Sequence, residues 1–332
     1  MAFDAYGNTP NENKTSKESA VDFDALNTYV VETAQLEQPE TLVGYVSAII
    51  DLGMQEMPDA EMVFTGDEDD EAAIIKEKPG TYFKNGFDPD TRKPVRLKCW
   101  PQKPVQCVTL AVDFPEIIVD KGQFFGESKP LPLRLFMGGQ FYIQDAGMVV
   151  ARPTPLRIRK NSEGKWSFDK KHLFHKMAVA SKLIPADGTF LPQQIDQLLG
   201  KAFQFQAQVF FKENKGKKYY TENIKFVGGL GRGQKEPEHL TKPYTIQFNA
   251  DNDENAIKEL RAHIANTIKK AKNYNGSKIK TQFEQWRGVK PAGEANKDKP
   301  EAKPEAAPKD AIKAPKTPPA PVVDDMDSDC PF

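Results

Sequence analysis

Between Phe203 and Lys212 the chain alternates: Phe203, Phe205, Ala207, Val209 and Phe211 stand against Gln204, Gln206, Gln208 and Lys212. A period of two over this length puts successive side chains on opposite sides of a strand, so the segment belongs in a sheet with one buried face. The turn Asn214-Lys215-Gly216 leads into Lys218–Val227, which predicts an antiparallel hairpin. The same period marks three earlier strands. Val46, Ala48, Ile50, Leu52 and Met54 predict one; Val108, Leu110, Val112 and Phe114 predict a second; Leu133, Leu135 and Met137 predict a third. The opposite face of the third carries Arg134 and Phe136, an unusual pair for a plain solvent side.

Helical spacing appears between the third and fourth strands. Asp169 is placed to cap a helix through Leu173, Met177, Ala180 and Ile184, and a short second helix spans Pro192–Leu199. Leu156–Phe168, turning at residues 161–164, reads as an extra hairpin. Three strands, a helix and two strands follow the order of an OB-fold, a mainly-β, five-stranded Greek-key barrel, here with inserted loops. After Asp251 an amphipathic C-terminal helix is predicted to Lys272, with Ile257, Leu260, Ile264 and Ile268 on one stripe. The expected organisation is a mobile acidic arm (1–40), the barrel with its insertions and C-terminal helix (41–288), a disordered Pro/Ala/Lys linker (289–323) and an acidic tail (324–332).

The overall charge of −1 conceals an asymmetry. Residues 1–80 carry 4 basic and 18 acidic side chains, residues 81–290 carry 36 and 20, and residues 291–332 carry 6 and 9. A basic middle between acidic ends predicts a polyanion-binding domain. Three segments mix cations with flat rings, the combination that single-stranded nucleic acid requires for phosphates and unstacked bases. The first is the long insertion after the first strand, with Tyr82, Phe83, Lys84, Phe87, Arg92, Lys93, Arg96, Lys98 and Trp100. The second is Arg157, Arg159, Lys160, Lys165 and Trp166. The third, on the last hairpin, is Lys212, Lys215, Lys217, Lys218, Tyr219 and Tyr220. Arg134 and Phe136 join them as candidates.

The sequence ends Asp324-Asp325-Met326-Asp327-Ser328-Asp329-Cys330-Pro331-Phe332. A carboxylate, a ring and an acidic run together suit docking onto a basic protein surface with an apolar pocket. This ending resembles that of the bacterial and bacteriophage single-stranded-DNA-binding proteins, with Asp324, Asp325, Asp327, Asp329, Pro331 and Phe332 as the matching residues. Gly44–Gln55 and Phe283–Gly288 are similar to stretches of phage proteins of the same class. The resemblance implies coating of single-stranded DNA in replication, recombination and repair. It also implies a tail that recruits polymerase, helicase or primase, or nuclease, and occupies the DNA groove when DNA is absent.

No catalytic constellation, metal set or cofactor motif is expected. Cys99, Cys107, His172 and His175 lack zinc-site spacing, and the glycines from Gly228 to Gly233 precede no P-loop lysine. Asp67–Glu71 reads as a solvated acidic loop. Three cysteines and the lack of a membrane-spanning run or signal-like start fit a cytoplasmic protein, in the host cytoplasm if viral, with self-association an open alternative. Rival readings are a strand-annealing recombination mediator and a non-enzymatic virion or scaffold protein with acidic arms.

Overall fold

The computed structural model describes residues 21–143, 148–161, 164–214 and 217–287. In chain order the first half contains α1 (Phe23–Ala34), β1 (Glu40–Gln55), β2 (Ala60–Phe64), α2 (Glu68–Glu77), β3 (Tyr82–Phe87), β4 (Pro94–Trp100), β5 (Val105–Val119) and β6 (Leu131–Phe136). Then come β7 (Gln140–Ile143), β8 (Met148–Ala151), β9 (Thr154–Pro155), β10 (Arg159–Lys160), β11 (Trp166–Ser167), α3 (Leu173–Ala180), β12 (Ala202–Asn214) and β13 (Lys217–Gly228). The last are β14 (Tyr244–Ile246), α4 (Glu254–Lys258), α5 (Ala262–Lys269) and α6 (Lys278–Trp286). Among the described residues no helix is long and apolar enough to cross a membrane.

The chain divides into two units. Among the described residues, the larger holds those up to Met57 and those from Lys103 to Arg287, and the smaller is Pro58–Gln102. The larger unit is built on a mainly antiparallel sheet with the path β13-β12-β1-β5-β6. β1 serves as its spine. Its first half pairs with β12, from Glu40 opposite Ala207 to Tyr45 opposite Ala202. Its second half pairs with β5, from Tyr45 opposite Asp113 to Gln55 opposite Val105. β14 joins β1 in parallel.

The expected strands, the hairpin and a helix between the third and fourth strands are therefore present. The closed barrel is not: among the described residues no ladder joins β6 to β13. Arg261 spans the open seam instead. Its guanidinium donates to Glu222 on β13 at 2.8 Å and to the carbonyl of Arg134 on β6 at 2.6 Å, and it lies 4.9 Å from the Phe136 ring centroid.

Both faces of the spine are covered. One packs Leu110, Val112, Phe114, Leu133, Leu135, Phe203 and Phe205 against α1 and α3. The other packs Ala48, Ile50, Leu52, Ala111 and Phe136 against Phe248, Ile257, Ile264, Ile268 and Phe283 around the C-terminal helices. The single inward face expected for Val46, Ala48, Ile50 and Leu52 divides between these cores. A register shift between Val46 and Ala48 changes the parity of the strand, as a bulge does. A second shift lies at Gly53, whose φ is +76 and where an added Cβ would sit 2.4 Å from the Phe248 ring.

Several expected boundaries differ from the observed ones. Residues 23–34, placed in a mobile arm, form α1, capped by Asp22 and burying Leu26, Val30, Val31 and Ala34. The helix expected over 251–272 breaks at Arg261, whose ψ of 145 carries its side chain to the seam; Ile257, Leu260, Ile264 and Ile268 stay buried, so tertiary contacts outweigh helical propensity there. Asp67–Glu71 is no loop but the start of α2, with a capping box between Asp67 and Asp70. α3 starts after His172 rather than Asp169, and the segment 192–198 is a 3-10 helix.

Candidate nucleic-acid interface

In the smaller unit the insertion expected as loops is a folded sheet, β2-β4-β3, with α2 beside it. Its ladder sorts the candidates. Tyr82, Cys99 and Glu61 lie opposite one another, as do Lys84, Leu97 and Val63. On this face Tyr82 donates to Asp59 at 2.9 Å and Lys84 pairs with Glu61 at 2.5 Å, bridging across β4 above buried Leu97 and Cys99. The partner carboxylates hold the Tyr82 hydroxyl and the Lys84 ammonium above their ordinary pKa values.

The other face carries Phe83, Lys98, Trp100 and Arg96. Arg96 donates twice to Glu71, at 2.7 and 2.9 Å, and Phe83 packs on Phe64 with 4.7 Å between centroids. Tyr82, Lys84 and Arg96 are thus engaged within the unit. The β3–β4 turn is more accessible: Phe87 is 64% exposed, and Arg92 and Lys93 follow a turn closed by Asp88, which accepts from the Asp90 and Thr91 amides.

In the larger unit β10 and β11 form a short ribbon. Lys160 lies opposite Trp166, its ammonium 5.6 Å from the ring centroid, and the ring is 54% exposed. Asn161 makes the turn by accepting from the Lys165 amide, and Gly164 takes φ +76. The ribbon is anchored by buried Phe168, which stacks on His172 at 4.4 Å and donates its amide to Phe190. Arg157, Arg159, Lys160 and Lys165 are all exposed, and so are Lys170 and Lys171, which the sequence reading passed over.

The β12–β13 hairpin presents Lys212 opposite Tyr219, which is 51% exposed, and Glu213 opposite Lys218. Tyr220 faces the other way and donates to Glu222 at 2.7 Å. Lys215 lies outside the described residues, and Lys217 begins β13. The outer face continues as Gln208 opposite Asn223 and Gln206 opposite Lys225. Gln206 and Gln208, legible in the alternation as the polar side of the strand, add uncharged hydrogen-bonding groups to this face.

By register, the ribbon continues from β9, which pairs with β5 near its Val105 end, whereas the β12–β13 turn runs past the Glu40 end of β1. The second and third clusters thus lie toward opposite ends of the spine.

Arg134 and Phe136 do not belong to an exposed surface. Phe136 is buried under the C-terminal helices. Arg134 donates twice to fully buried Asp113, at 2.6 and 2.9 Å, and Asp113 also accepts from Ser47 at 2.6 Å and Thr241 at 2.7 Å. Burial opposes the Arg134 charge, but the Asp113 carboxylate overrides it and raises the guanidinium pKa further. The outward face of the third strand is therefore an internal polar joint beneath the C-terminal helices. Asp324, Asp325, Asp327, Asp329, Pro331 and Phe332 lie outside the described residues.

No family model matches this chain, and no curated protein or solved structure is detectably similar to it.

Proposed function

We propose that this chain is a non-catalytic single-stranded-DNA-binding protein built on an opened OB-type sheet. The observation that carries the proposal is the β10–β11 ribbon: an exposed Trp166 with Lys160 above it, among Arg157, Arg159, Lys165, Lys170 and Lys171. A ring that can stack on any base, surrounded by cations for phosphates, gives sequence-tolerant binding to an unpaired strand.

The sheet order supports the OB reading. With β1, β5, β6, β12 and β13 taken as its five strands, the first lies between the second and the fourth, and α3 falls between the third and fourth in sequence. On this reading the first-to-second connection contains the small unit, and the fourth-to-fifth connection carries Lys212, Lys218 and Tyr219. These are the loops that OB-folds use beside the strand 2–3 face. Here the C-terminal helices cover that face at Ala111 and Phe136, which shifts binding toward the loops and the ribbon. The tail from Asp324 to Phe332 would then recruit replication and recombination proteins.

The test is a fluorescence titration with oligo-dT and duplex DNA at several salt concentrations. The single strand is expected to bind more tightly, with affinity falling steeply as salt rises. Trp166→Ala should weaken oligo-dT binding by about 1–3 kcal/mol and leave the melting temperature nearly unchanged. Tyr82→Ala, whose ring is tied to Asp59, should change affinity less. Equal affinity for duplex and single strand, or wild-type affinity in Trp166→Ala, rejects the proposal.

A further inference from the structure

The seam between β6 and β13 holds a partly open pocket of about 240 Å3, bordered by both strands, α1, the Lys121–Phe125 turn and the segment before α5. Its walls carry Lys121, Lys129, Arg134 and Arg261 together with the rings of Tyr220 and Tyr244. Three of these cations have a carboxylate: Arg134 has Asp113, Arg261 has Glu222, and Lys129 has Glu259 at 3.4 Å. Lys121 makes no hydrogen bond or ion pair among the described residues and is the surplus positive charge of the cavity. Burial pushes its ammonium down to about 8, helped by the guanidiniums of Arg261 and Arg134 and opposed by Glu222. A bound anion would relieve this cost.

We propose that the seam cavity binds a nucleoside monophosphate unit, with the phosphate against Lys121 and the base against the rings of Tyr220 and Tyr244. The surplus cation among further cations fits a phosphate, the two tyrosine rings in the walls offer aromatic surface to a flat base, and the apolar side chains of α1 and β6 close the rest. The volume stands just below the usual range for small-ligand pockets. This site is separate from the ribbon and does not depend on strand coating. The same chemistry is offered by a free nucleotide and by the 5′-phosphorylated end of a strand.

The test is calorimetric titration of the full chain with dAMP, inorganic phosphate and deoxyadenosine, and with oligo-dT bearing or lacking a 5′-phosphate. dAMP should bind at least tenfold more tightly than phosphate or deoxyadenosine, and more weakly as pH rises from 7.5 to 9 and Lys121 loses its proton. Lys121→Met should lower dAMP affinity at least tenfold with the melting temperature retained; Lys129→Met, at an exposed position, should lower it less and serves if Lys121→Met does not fold. Preference for the phosphorylated oligonucleotide assigns the site to strand ends, and equal binding of the two assigns it to the free nucleotide. No detectable dAMP binding at millimolar concentration, deoxyadenosine binding as tightly as dAMP, or unchanged dAMP affinity in Lys121→Met overturns the proposal. If dAMP binds while oligo-dT does not, the strand-coating function fails and this site stands.

Discussion

The β1–β5 and β12–β13 halves of the main sheet differ in one respect that organises the molecule. In the first half both faces are covered, so Gly44 through Ile50 is buried without interruption, including Ser47. In the second half Phe203, Phe205, Ala207 and Val209 are buried while Gln206, Lys212, Tyr219 and Lys225 face solvent. A sheet face that is covered must satisfy every polar group it carries, which is why Ser47, Tyr45, Arg134 and Thr241 all converge on Asp113. A face left open can carry lysine, tyrosine and amide groups with no such network, and it is there that a polymeric ligand can be met.

The sharpest way to break this comparison is to remove one partner in the covered half. Arg134→Met leaves the Asp113 carboxylate without its guanidinium and should cost about 3–5 kcal/mol, read as a lower urea midpoint. Next, Ile50→Ala opens a cavity between β1 and the C-terminal helices and should cost about 2–5 kcal/mol, whereas Gln206→Ala on the open face should stay within about 0.5 kcal/mol. Similar losses for these two would mean that the halves are equally covered.

The smallest effect is a pH dependence. His263 packs edge-on against Phe136 at 5.7 Å, and burial, aided by Arg261, pushes its imidazole down to about 3. The unfolded chain takes up this proton below about 6.5 and the folded chain does not, so the associated stability is complete above that pH and declines as pH falls toward 3. Thermal melts of the wild type from pH 7.5 to 5 should decline more steeply than those of His263→Gln. Parallel curves would remove His263 as the cause.

The two halves were not equally legible in the sequence. The alternation at 203–211 announces the first strand of the hairpin and its buried face directly; Lys215 and Gly216 of the expected turn lie outside the described residues. The period of two from Val46 to Met54 announces a strand, but periodicity does not reveal a bulge, and the shift between Val46 and Ala48 reverses the expected parity. The same limit explains the candidate site. Trp166 and its neighbouring cations stand out as candidates because a ring among basic residues is conspicuous within a few positions of sequence. Phe136 was misassigned because only the fold brings the α4–α6 segment over it. Tyr82, Lys84 and Arg96 were classed with them because their carboxylate partners Asp59, Glu61 and Glu71 come from elsewhere in the chain. The seam cavity joins residues from 26 to 261 and has no local signature.

The small unit enters the chain between two residues, Gln55 and Val105, that face each other across the β1–β5 ladder. Its own first and last residues also meet, since the Gln102 side chain donates to the Pro58 carbonyl at 2.7 Å. Closing a connection of this length from an unfolded chain would cost roughly 2 kcal/mol more than closing a tight turn. Once Pro58–Gln102 has folded, its two ends are already together, and the effective connection shrinks to a few residues on each side. Assembly of the main sheet is then favoured by prior folding of the insert, and a mutation that melts β2-β4-β3 would slow β1–β5 pairing without touching either strand.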